Sequence, residues 1–426
     1  MKEECLAAVK IDQDLCSRCK VCYSLCPFEA INEGPEDGKI RIDIQKCQVC
    51  GICYSACPVS AIEMAYYKLE DMLDQVLSVP ENEKAVTYFR FEDTGNQVPP
   101  GHGEGRAETL VLMCRGNSPN DSEVMDILTD QGLSGQRYVV LRVPCAGRIP
   151  TSFIFNALHS GMKNVVSIQC QDGFCRMKEG TNIETRRMLL GMAVIEQFGY
   201  RQGTIKVVKY SRKAVWMSKE CVGCDKCVFI CPYGAIKAEP FSSPTIDAKK
   251  CVGCGACQMV CPHHAIQVKG FEFDRVLSSY QGAAKVLRMT GRRPTILIFS
   301  CQWSEFSALD HPDELLKGKN ALMLEIPCFK SMDPVHVVNA LRQGFDGVMA
   351  VVCSAKDCKL QDGRDAAERQ LEVLYRYLKK LDLLDRFEMH ELSPRCEGEF
   401  NDKLEAFHKR IASLPSVTAD VKKGAE

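Results

Sequence analysis

The sequence predicts a chain of the α/β plus α+β class, in which two cysteine-rich α+β segments alternate with two α/β domains that have parallel sheets. Two observations support this prediction. A cysteine run of one fixed spacing occurs four times in the 426 residues. Apolar, β-branched segments alternate with helical segments in two other regions, which is the pattern of a parallel sheet flanked by helices. Because these features recur in the same order, we interpret the chain as a tandem duplication.

Composition and charge narrow the class of protein. Hydrophobic residues make up 46% of the chain and charged residues 26%, as in an ordinary soluble globular protein. The formal net charge of −1 provides no overall field that would recruit nucleic acid or an anionic membrane. The start "MKEECLAAVKIDQDLC" does not have the pattern of a secretory leader, and no apolar stretch approaches the length of a membrane span, so we expect neither feature. With 26 cysteines in such a chain, we expect a reducing, cytoplasmic location and thiolates that serve as metal ligands.

The four cysteine runs read "CSRCKVCYSLCP", "CQVCGICYSACP", "CVGCDKCVFICP" and "CVGCGACQMVCP". This is the spacing of bacterial ferredoxins with two [4Fe–4S] clusters, in which three thiolates bind one cluster and the fourth cysteine binds its neighbour. The runs are therefore expected to work in pairs. Structural zinc is the alternative, but zinc sites use separated CxxC pairs rather than a triplet plus one.

The crossed pairing assigns the cysteines of the four runs to four predicted [4Fe–4S] sites. We number these sites 1 to 4 along the chain. Their predicted ligands are Cys16, Cys19, Cys22 and Cys57 for site 1; Cys47, Cys50, Cys53 and Cys26 for site 2; Cys221, Cys224, Cys227 and Cys261 for site 3; and Cys251, Cys254, Cys257 and Cys231 for site 4.

The other cysteines follow strand signals. The segments "ETLVLMC", "YVVLRVPC" and "NVVSIQC" are apolar strands that end in cysteine, and "PTILIFSC", "ALMLEIPC" and "GVMAVVC" repeat the pattern. The carboxyl ends of parallel strands lie along one edge of a sheet, where such folds hold ligands. Each edge gains one more cysteine from the next loop. The predicted thiolate sets are Cys114, Cys145, Cys170 and Cys175 for site 5, and Cys301, Cys328, Cys353 and Cys358 for site 6.

Spacing leaves the chemistry of sites 5 and 6 open. Four thiolates can hold zinc, a [2Fe–2S] cluster or a cubane, and a free cysteine at a strand end is often an ordinary buried side chain. The recurrence of all four positions in both regions favours metal binding. Cys5 and Cys396 fall outside every set and are expected to be ordinary thiols.

A resemblance adds to this interpretation. The stretch "ALRQGFDGVMAVVCSAKDCKLQDGRDAAERQ", with "IPC" upstream, resembles the delta subunit of the methyl-viologen-reducing hydrogenase over roughly residues 294–395. The stretch "LHSGMKNVVSIQCQDGFCRMKEGTNIETRR", with "VPCAG", is similar over roughly 108–210. The resemblance implies one [2Fe–2S] cluster in each domain. The family typically has CxxC at the first strand end, whereas Asn117 and Ser304 stand at the second cysteine position here.

The resemblance also implies partners and a place in a complex. Members of this family couple an electron source to the flavin-containing A subunit of heterodisulfide reductase or its relatives. A hydrogenase, a formate dehydrogenase or another oxidoreductase would supply the other side, in an assembly that can bifurcate electrons. The chain would thus be one subunit of a hetero-oligomer.

The sequence divides into seven predicted segments. Each half contains a ferredoxin domain with two [4Fe–4S] clusters, a linker and a delta-subunit-like α/β domain. The boundaries are 1–66 for the first ferredoxin domain, 67–107 for a helix and flexible linker, 108–212 for the first α/β domain, 213–270 for the second ferredoxin domain, 271–291 for a helical linker, 292–395 for the second α/β domain and 396–426 for a C-terminal tail.

These features predict an iron–sulfur electron-transfer subunit without catalytic residues of its own. The sequence contains no dinucleotide fingerprint, no phosphate-binding loop, no haem attachment motif and no HExxH. Four [4Fe–4S] and two [2Fe–2S] clusters would bring about 20 irons per chain. Two alternatives stay open: an oxidoreductase with its own substrate site at a sheet-edge cluster, and a zinc-bearing docking module. Four thiolates per site leave no vacant coordination position, which favours the relay.

Overall fold

The computed structural model describes residues 6–77, 107–117, 119–238, 244–302, 319–360 and 363–417. The chain forms two compact units. Unit 1 consists of Met1–Tyr88, Val98–Ser211 and Pro394–Glu397, and unit 2 consists of Phe89–Gln97, Arg212–Ser393 and Gly398–Glu426. Cys5, Ser304 and most of the predicted linker 67–107 lie outside the described residues. The seven-segment division stays a prediction.

The cysteine-rich segment of unit 1 has two short antiparallel ladders and two one-turn helices, and a longer helix follows it. Strand β1 pairs antiparallel with β4, and β2 pairs antiparallel with β3. The bounds are β1 Val9–Ile11, α1 Val21–Leu25, β2 Ile31–Glu33, β3 Ile40–Ile42, α2 Ile52–Ala56, β4 Ile62–Met64 and α3 Leu69–Leu77. Helices α1 and α2 end where a cysteine precedes proline: Cys26 and Cys57 take extended backbone angles, because proline disfavours the helical region for the residue before it.

The α/β domain of unit 1 has a four-stranded parallel sheet in the order β6-β5-β7-β8. The central strands β5 and β7 are almost fully buried, as parallel strands covered by helices must be, whereas the edge strand β8 is only partly buried. The bounds are β5 Thr109–Cys114, α4 Asp121–Asp130, β6 Tyr138–Val143, α5 Thr151–His159, β7 Asn164–Cys170, α6 Gly180–Gln197 and β8 Ile205–Tyr210. The predicted parallel sheet is confirmed.

A four-residue segment, Pro394–Glu397, completes unit 1. The amide of Ala8 donates to the carbonyl of Arg395 (2.9 Å), and the amide of Glu397 donates to the carbonyl of Leu6 (2.8 Å). These bonds lie beside an isolated antiparallel bridge between Ala7 and Cys396. The segment therefore extends the edge of the β1–β4 ladder.

Unit 2 has the same two kinds of structure. In its cysteine-rich segment, β9 pairs antiparallel with β12 and β10 with β11. Its parallel sheet has the order β14-β13-β15-β16. The bounds are β9 Ala214–Trp216, α7 Lys226–Ile230, β10 Ile236–Lys237, β11 Thr245–Ile246, α8 Ala256–Val260, β12 Ile266–Val268, α9 Phe273–Met289, β13 Ile296–Cys301, β14 Ala321–Ile326, α10 Val335–Arg342, β15 Gly347–Cys353, α11 Gly363–Lys380, β16 Phe387–Leu392 and α12 Glu399–Ser413.

Helices cover both faces of the sheet in unit 2. Residues of α9, α10 and α11 form one large buried cluster with one face. Helix α12 covers the other face through Phe400, Leu404, Phe407 and Ile411. No helix was predicted in the C-terminal tail 396–426, although the spacing of these four residues places them on one helical face. The C-terminal region therefore contributes a helix to the core of unit 2.

A buried carboxyl group lies in the first α/β domain. Glu184 of α6 is fully buried and accepts a hydrogen bond at Oε1 from Ser167 Oγ on β7 (3.2 Å). Its other oxygen has no hydrogen-bond partner. Burial raises the pKa of Glu184 from about 4.5 to about 8, although Ser167 and Arg187 oppose the rise. The folded state therefore holds this group as the neutral acid around neutral pH.

We expect Glu184→Gln to stabilise the protein at alkaline pH. Because the folded pKa is raised, the stability contributed by the neutral acid is fully present below pH 4.5 and is lost as pH rises through about 8. Glutamine stays neutral, so its advantage should grow across that window to a few kcal/mol, on the order of 1.4 per pKa unit. Thermal midpoints measured between pH 5.5 and 9 test this, with the exposed Glu196→Gln on the same helix as control. A gap that does not change with pH would contradict it.

Candidate iron–sulfur sites

Site 1 is an open cavity in unit 1. Cys16, Cys19, Cys22 and Cys57 all line it, and its empty volume, which includes open solvent, is about 330 Å³. Burial raises the pKa of Cys22, and the nearby Cys19, Cys57 and Cys16 raise it further. The structure therefore brings the fourth cysteine of the second run to the three leading cysteines of the first.

Site 3 in unit 2 has the same arrangement. Cys221, Cys224, Cys227 and Cys261 line a cavity with an empty volume of about 370 Å³, open solvent included. The pKa of Cys227 is raised by burial and then by the other three thiols. Both sites are close to the surface, since Cys19 and Cys224 are exposed.

Sites 2 and 4 lie deeper. Burial raises the pKa of Cys53, with further contributions from Cys50, Cys47 and Cys26. In unit 2, burial raises the pKa of Cys257, and Cys254, Cys251 and Cys231 add to it. Each of these two crossed sets is therefore close together. Burial also raises the pKa of Cys47 to about 12.

The residues present fit the predicted cubanes. In sites 2 and 4, thiols packed this closely in a buried place resist ionisation until a positive centre compensates their charges, and bound iron would supply such a centre. Backbone amides also point at sulfur: the amides of Ala30, Ala61, Ala235 and Ala265 donate to the fourth cysteines of the runs, over 3.2–3.4 Å. Such donors stabilise charge on sulfur and tune the potential of a bound cluster.

Site 6 brings all four predicted thiols together. A hydrogen bond with Cys301 and then burial raise the pKa of Cys328. Hydrogen bonds with Cys301 and Cys358, followed by burial, raise the pKa of Cys353. Strands β13 and β15 end at Cys301 and Cys353, so the parallel register itself sets these thiols at one edge of the sheet.

Site 5 joins three of its four predicted thiols. A hydrogen bond with Cys170 and then burial raise the pKa of Cys175, while burial, Cys50 and Cys175 raise that of Cys145. Cys114 is buried, but its thiol donates to the carbonyl oxygen of Pro144 (3.4 Å). Pro144 follows β6, the strand beside β5, so its carbonyl is the acceptor that the register places next to this thiol.

Two glycines leave room for sulfur at sites 5 and 6. A Cβ on Gly363 would lie 2.8 Å from Cys358 Sγ and 3.0 Å from Cys328 Sγ. A Cβ on Gly180 would fall against Cys145 Sγ and lie 3.5 Å from Cys175 Sγ. Both glycines begin a long helix. Neither glycine was a predicted site residue, although each follows the loop cysteine, Cys175 or Cys358, at the same distance in the chain.

Two further findings concern metals and thiols. Across the described ranges, no group of three or more His, Cys, Asp or Glu side chains is placed to hold a single metal ion. Thiolates of an iron–sulfur cluster bind different irons and need not converge on one point.

Cys396 is disulfide-bonded, so the expectation of an ordinary thiol is wrong for this residue.

The described helices include none that is long and apolar enough to cross a membrane.

Comparison with known proteins gives three family matches. The family model for methyl-viologen-reducing hydrogenase, delta subunit, matches residues 110–222 and 296–415, which together are more than half of the chain. Models for 4Fe-4S dicluster domains match residues 8–58 and 220–265.

Several curated proteins are similar to parts of the chain. The A subunit of the ferredoxin/F420H2-dependent CoB-CoM heterodisulfide reductase of Methanosarcina acetivorans is 30% identical over 206 residues, 48% of this chain. The A subunit of the ferredoxin:CoB-CoM heterodisulfide reductase of Methanosarcina mazei is 28% identical over 207 residues, also 48%. The chain spans 26% of the length of each.

A shorter relative is similar to a smaller part of the chain. The iron-sulfur D subunit of the F420-non-reducing hydrogenase of Archaeoglobus profundus is 28% identical over 92 residues, which are 21% of this chain and 67% of that protein. The family model covers both α/β regions, and the dicluster models cover both cysteine-rich segments. The chain therefore belongs to the family of the delta subunit of methyl-viologen-reducing hydrogenase, and it carries two 4Fe-4S dicluster domains.

Proposed function

We propose that this chain is an iron–sulfur electron-transfer subunit that relays electrons between other subunits of an oxidoreductase complex. The observation that carries the proposal is the grouping of thiols: sites 1 to 4 each bring a crossed set of cysteines together, and site 6 brings four more to one sheet edge. These thiols serve as iron ligands, and no catalytic residue is assigned.

We assign [4Fe–4S] clusters to sites 1 to 4 and [2Fe–2S] clusters to sites 5 and 6. The fit of sites 1 to 4 rests on the ferredoxin spacing and on the crossed grouping of their cysteines. Sites 5 and 6 have the chemistry of a thiolate donor set, and Gly180 and Gly363 keep space free beside the sulfurs. The shared strand order of the two parallel sheets supports a tandem duplication.

The relatives suggest the partners. Two relatives are named for the A subunit of heterodisulfide reductases, and another for an iron–sulfur subunit of a hydrogenase. We propose that one partner is a flavin-containing A subunit of this kind, and that the other belongs to a hydrogenase, a formate dehydrogenase or another oxidoreductase. An electron-bifurcating complex is one assembly of this type.

One observation favours a second candidate, an oxidoreductase with its own substrate site. At site 5 the Cys114 thiol is hydrogen-bonded to Pro144, and a cluster held by three thiolates would keep an open position of the sort that catalytic metal sites use. Turnover of an organic substrate by the chain alone would favour this candidate over the relay.

The relay is tested on the anaerobically purified chain. We expect about 20 irons per chain, no bound flavin or nicotinamide, reduction by a strong low-potential reductant and electron transfer to an artificial dye. About 16 irons with stoichiometric zinc would overturn the [2Fe–2S] assignment, and a chain that cannot be reduced would overturn the relay.

The route through site 6 is tested by substitution. Cys353→Ser and Cys358→Ser should each remove about two irons and should slow electron flow at least tenfold to the flavin-containing partner, with sites 1 to 4 intact. Val352→Ala is the control, because it trims a buried side chain beside Cys353 without removing a thiol. Full coupled activity after loss of that cluster would take site 6 out of the route.

A further inference from the structure

Within unit 1, the cysteine-rich segment meets the α/β domain between site 2 and site 5. Helix α2 packs against the 3₁₀ helix Ala146–Arg148, which follows Cys145 directly. Helix α2 contains Cys53 of site 2 and begins just after Cys50. Arg187 of α6 ties the two sides together: its Nη1 donates to Ser55 Oγ (2.9 Å) and to the Gly147 carbonyl (2.7 Å). Sites 2 and 5 are therefore neighbours.

A buried cation occupies this junction. Arg148 is fully buried, and its guanidinium lies on Gly51, the residue after Cys50: a Cβ there would come within 2.6 Å of Arg148 Nε. Its Nη2 contacts Met64 Sδ at 3.0 Å, and its Cζ lies 5.4 Å from the centre of the Tyr67 ring. Packing on every side holds the positive charge beside the site 2 loop.

Unit 2 buries a cation at the matching junction, from a different position in the sequence. Helix α8 packs against the 3₁₀ helix Phe329–Ser331, which follows Cys328, and Cys254 and Cys328 share one buried cluster. Ser331 sits against Gly255 as Arg148 sits against Gly51. The preceding Lys330 is 3% exposed and belongs to the same 3₁₀ helix that packs against α8. A serine thus replaces the arginine, and the adjacent lysine provides the charge.

A buried charge beside an iron–sulfur site changes the reduction potential of a cluster bound there. A thiolate-ligated cluster is anionic and gains a further negative charge on reduction, and its potential depends on nearby charge and on solvent exposure. A fixed cation in a buried environment is weakly screened, so it stabilises the reduced state more than the oxidised state. Sites 1 and 3 lie near the surface, where Cys19 and Cys224 are exposed, whereas Cys50 and Cys254 are buried.

We propose that Arg148 and Lys330 are buried cations whose charge raises the reduction potentials at sites 2 and 4. Electrons that enter at sites 1 and 3 would then move inward toward sites 5 and 6. The step is a one-electron transfer: the outer site would lose one electron, the inner site would gain it, and no bond or proton moves. This inference rests on the proposed relay.

Redox titration of the anaerobic full-length chain, followed by electron paramagnetic resonance, tests the proposal. Arg148→Met and Lys330→Met should each lower the reduction potential of one [4Fe–4S] cluster by at least about 59 mV. For a one-electron transfer, this shift is a tenfold change in the equilibrium constant. Arg148→Lys should keep the wild-type potential because it keeps the charge. Arg186→Met and Lys285→Met remove exposed cations in the same two units and should shift nothing.

The possible results distinguish an effect of charge from an effect of packing. They also distinguish failure of this inference from failure of the proposed relay. Unchanged potentials in Arg148→Met and Lys330→Met, with all clusters retained, would overturn the inference while leaving the relay standing. A shift in Arg148→Lys as large as that in Arg148→Met would also overturn it, because packing would then be the cause. If Arg148→Met fails to hold its cluster, Lys330→Met decides alone. Wild-type protein that cannot be reduced would instead refute the relay itself.

Discussion

Cys26→Ala is expected to empty site 2 and to leave site 1 loaded, although Cys26 belongs to the same sequence run as the site 1 cysteines. Cys26 is one of the thiols that raise the pKa of Cys53, whereas Cys57 lines the cavity of site 1. Removing one of four thiolates opens an iron to water in a site that is otherwise buried. The expected loss is about four irons of about 20.

Double variants decide which site lost its cluster. If the ligands cross, Cys19→Ser combined with Cys26→Ala removes two clusters, or about eight irons, whereas Cys50→Ser combined with Cys26→Ala removes one, or about four. If Cys26 instead belongs to site 1, the two results exchange. Iron and acid-labile sulfide assays distinguish these two assignments of Cys26. The matched control is Cys57→Ala combined with Cys19→Ser, which tests whether Cys57 of the second run belongs to site 1.

Gly363→Ala should destroy site 6 although alanine is the better helix former. Alanine gains up to about 1 kcal/mol over glycine within a helix, so helix propensity alone predicts a more stable variant. The new methyl group would lie 2.8 Å from Cys358 Sγ and 3.0 Å from Cys328 Sγ, and both thiols would have to move. We expect a loss of about two irons per chain and of the [2Fe–2S] spectrum of site 6.

The control for this prediction is another helical glycine. A Cβ on Gly191, in α6, would meet only apolar carbons, Ile205 Cδ1 at 3.2 Å and Thr151 Cγ2 at 3.5 Å. Gly191→Ala should therefore keep its full iron content. A fully loaded Gly363→Ala protein would show that the space beside the two thiols is not needed, and the [2Fe–2S] assignment at site 6 would lose its steric support.

The sequence was informative where chemistry imposes a spacing. Each run has three closely spaced cysteines and a more distant fourth, a spacing that predicts that the fourth binds the cluster of the neighbouring run. The structure groups Cys57 with Cys16, Cys19 and Cys22. Strand-end cysteines were predictable for a similar reason, since the parallel register brings the ends of β13 and β15, at Cys301 and Cys353, to the same edge with an offset of one residue. Both inferences needed only local pattern and one rule of topology.

What the sequence did not reveal depends on contacts between distant residues. Nothing in "CAGRIP" indicates that Arg148 is buried against Gly51, because the contact joins two segments far apart in the chain. The hydrogen bond from Cys114 to Pro144 depends on which strand lies beside β5. Helix α12 was different: its apolar spacing was readable, but the stretch follows the last recognised strand and was assigned to a tail.

The return of Pro394–Glu397 to the first unit affects how the protein is made. During synthesis, the segment that closes the edge beside β1 emerges only after the last strand of the second sheet. Leu6 and Ala8 therefore leave the ribosome long before the residues that complete their backbone pairing. For the same reason, a gene cut between residues 211 and 212 cannot encode a complete first unit: that product would keep an unpaired edge at Leu6 and Ala8.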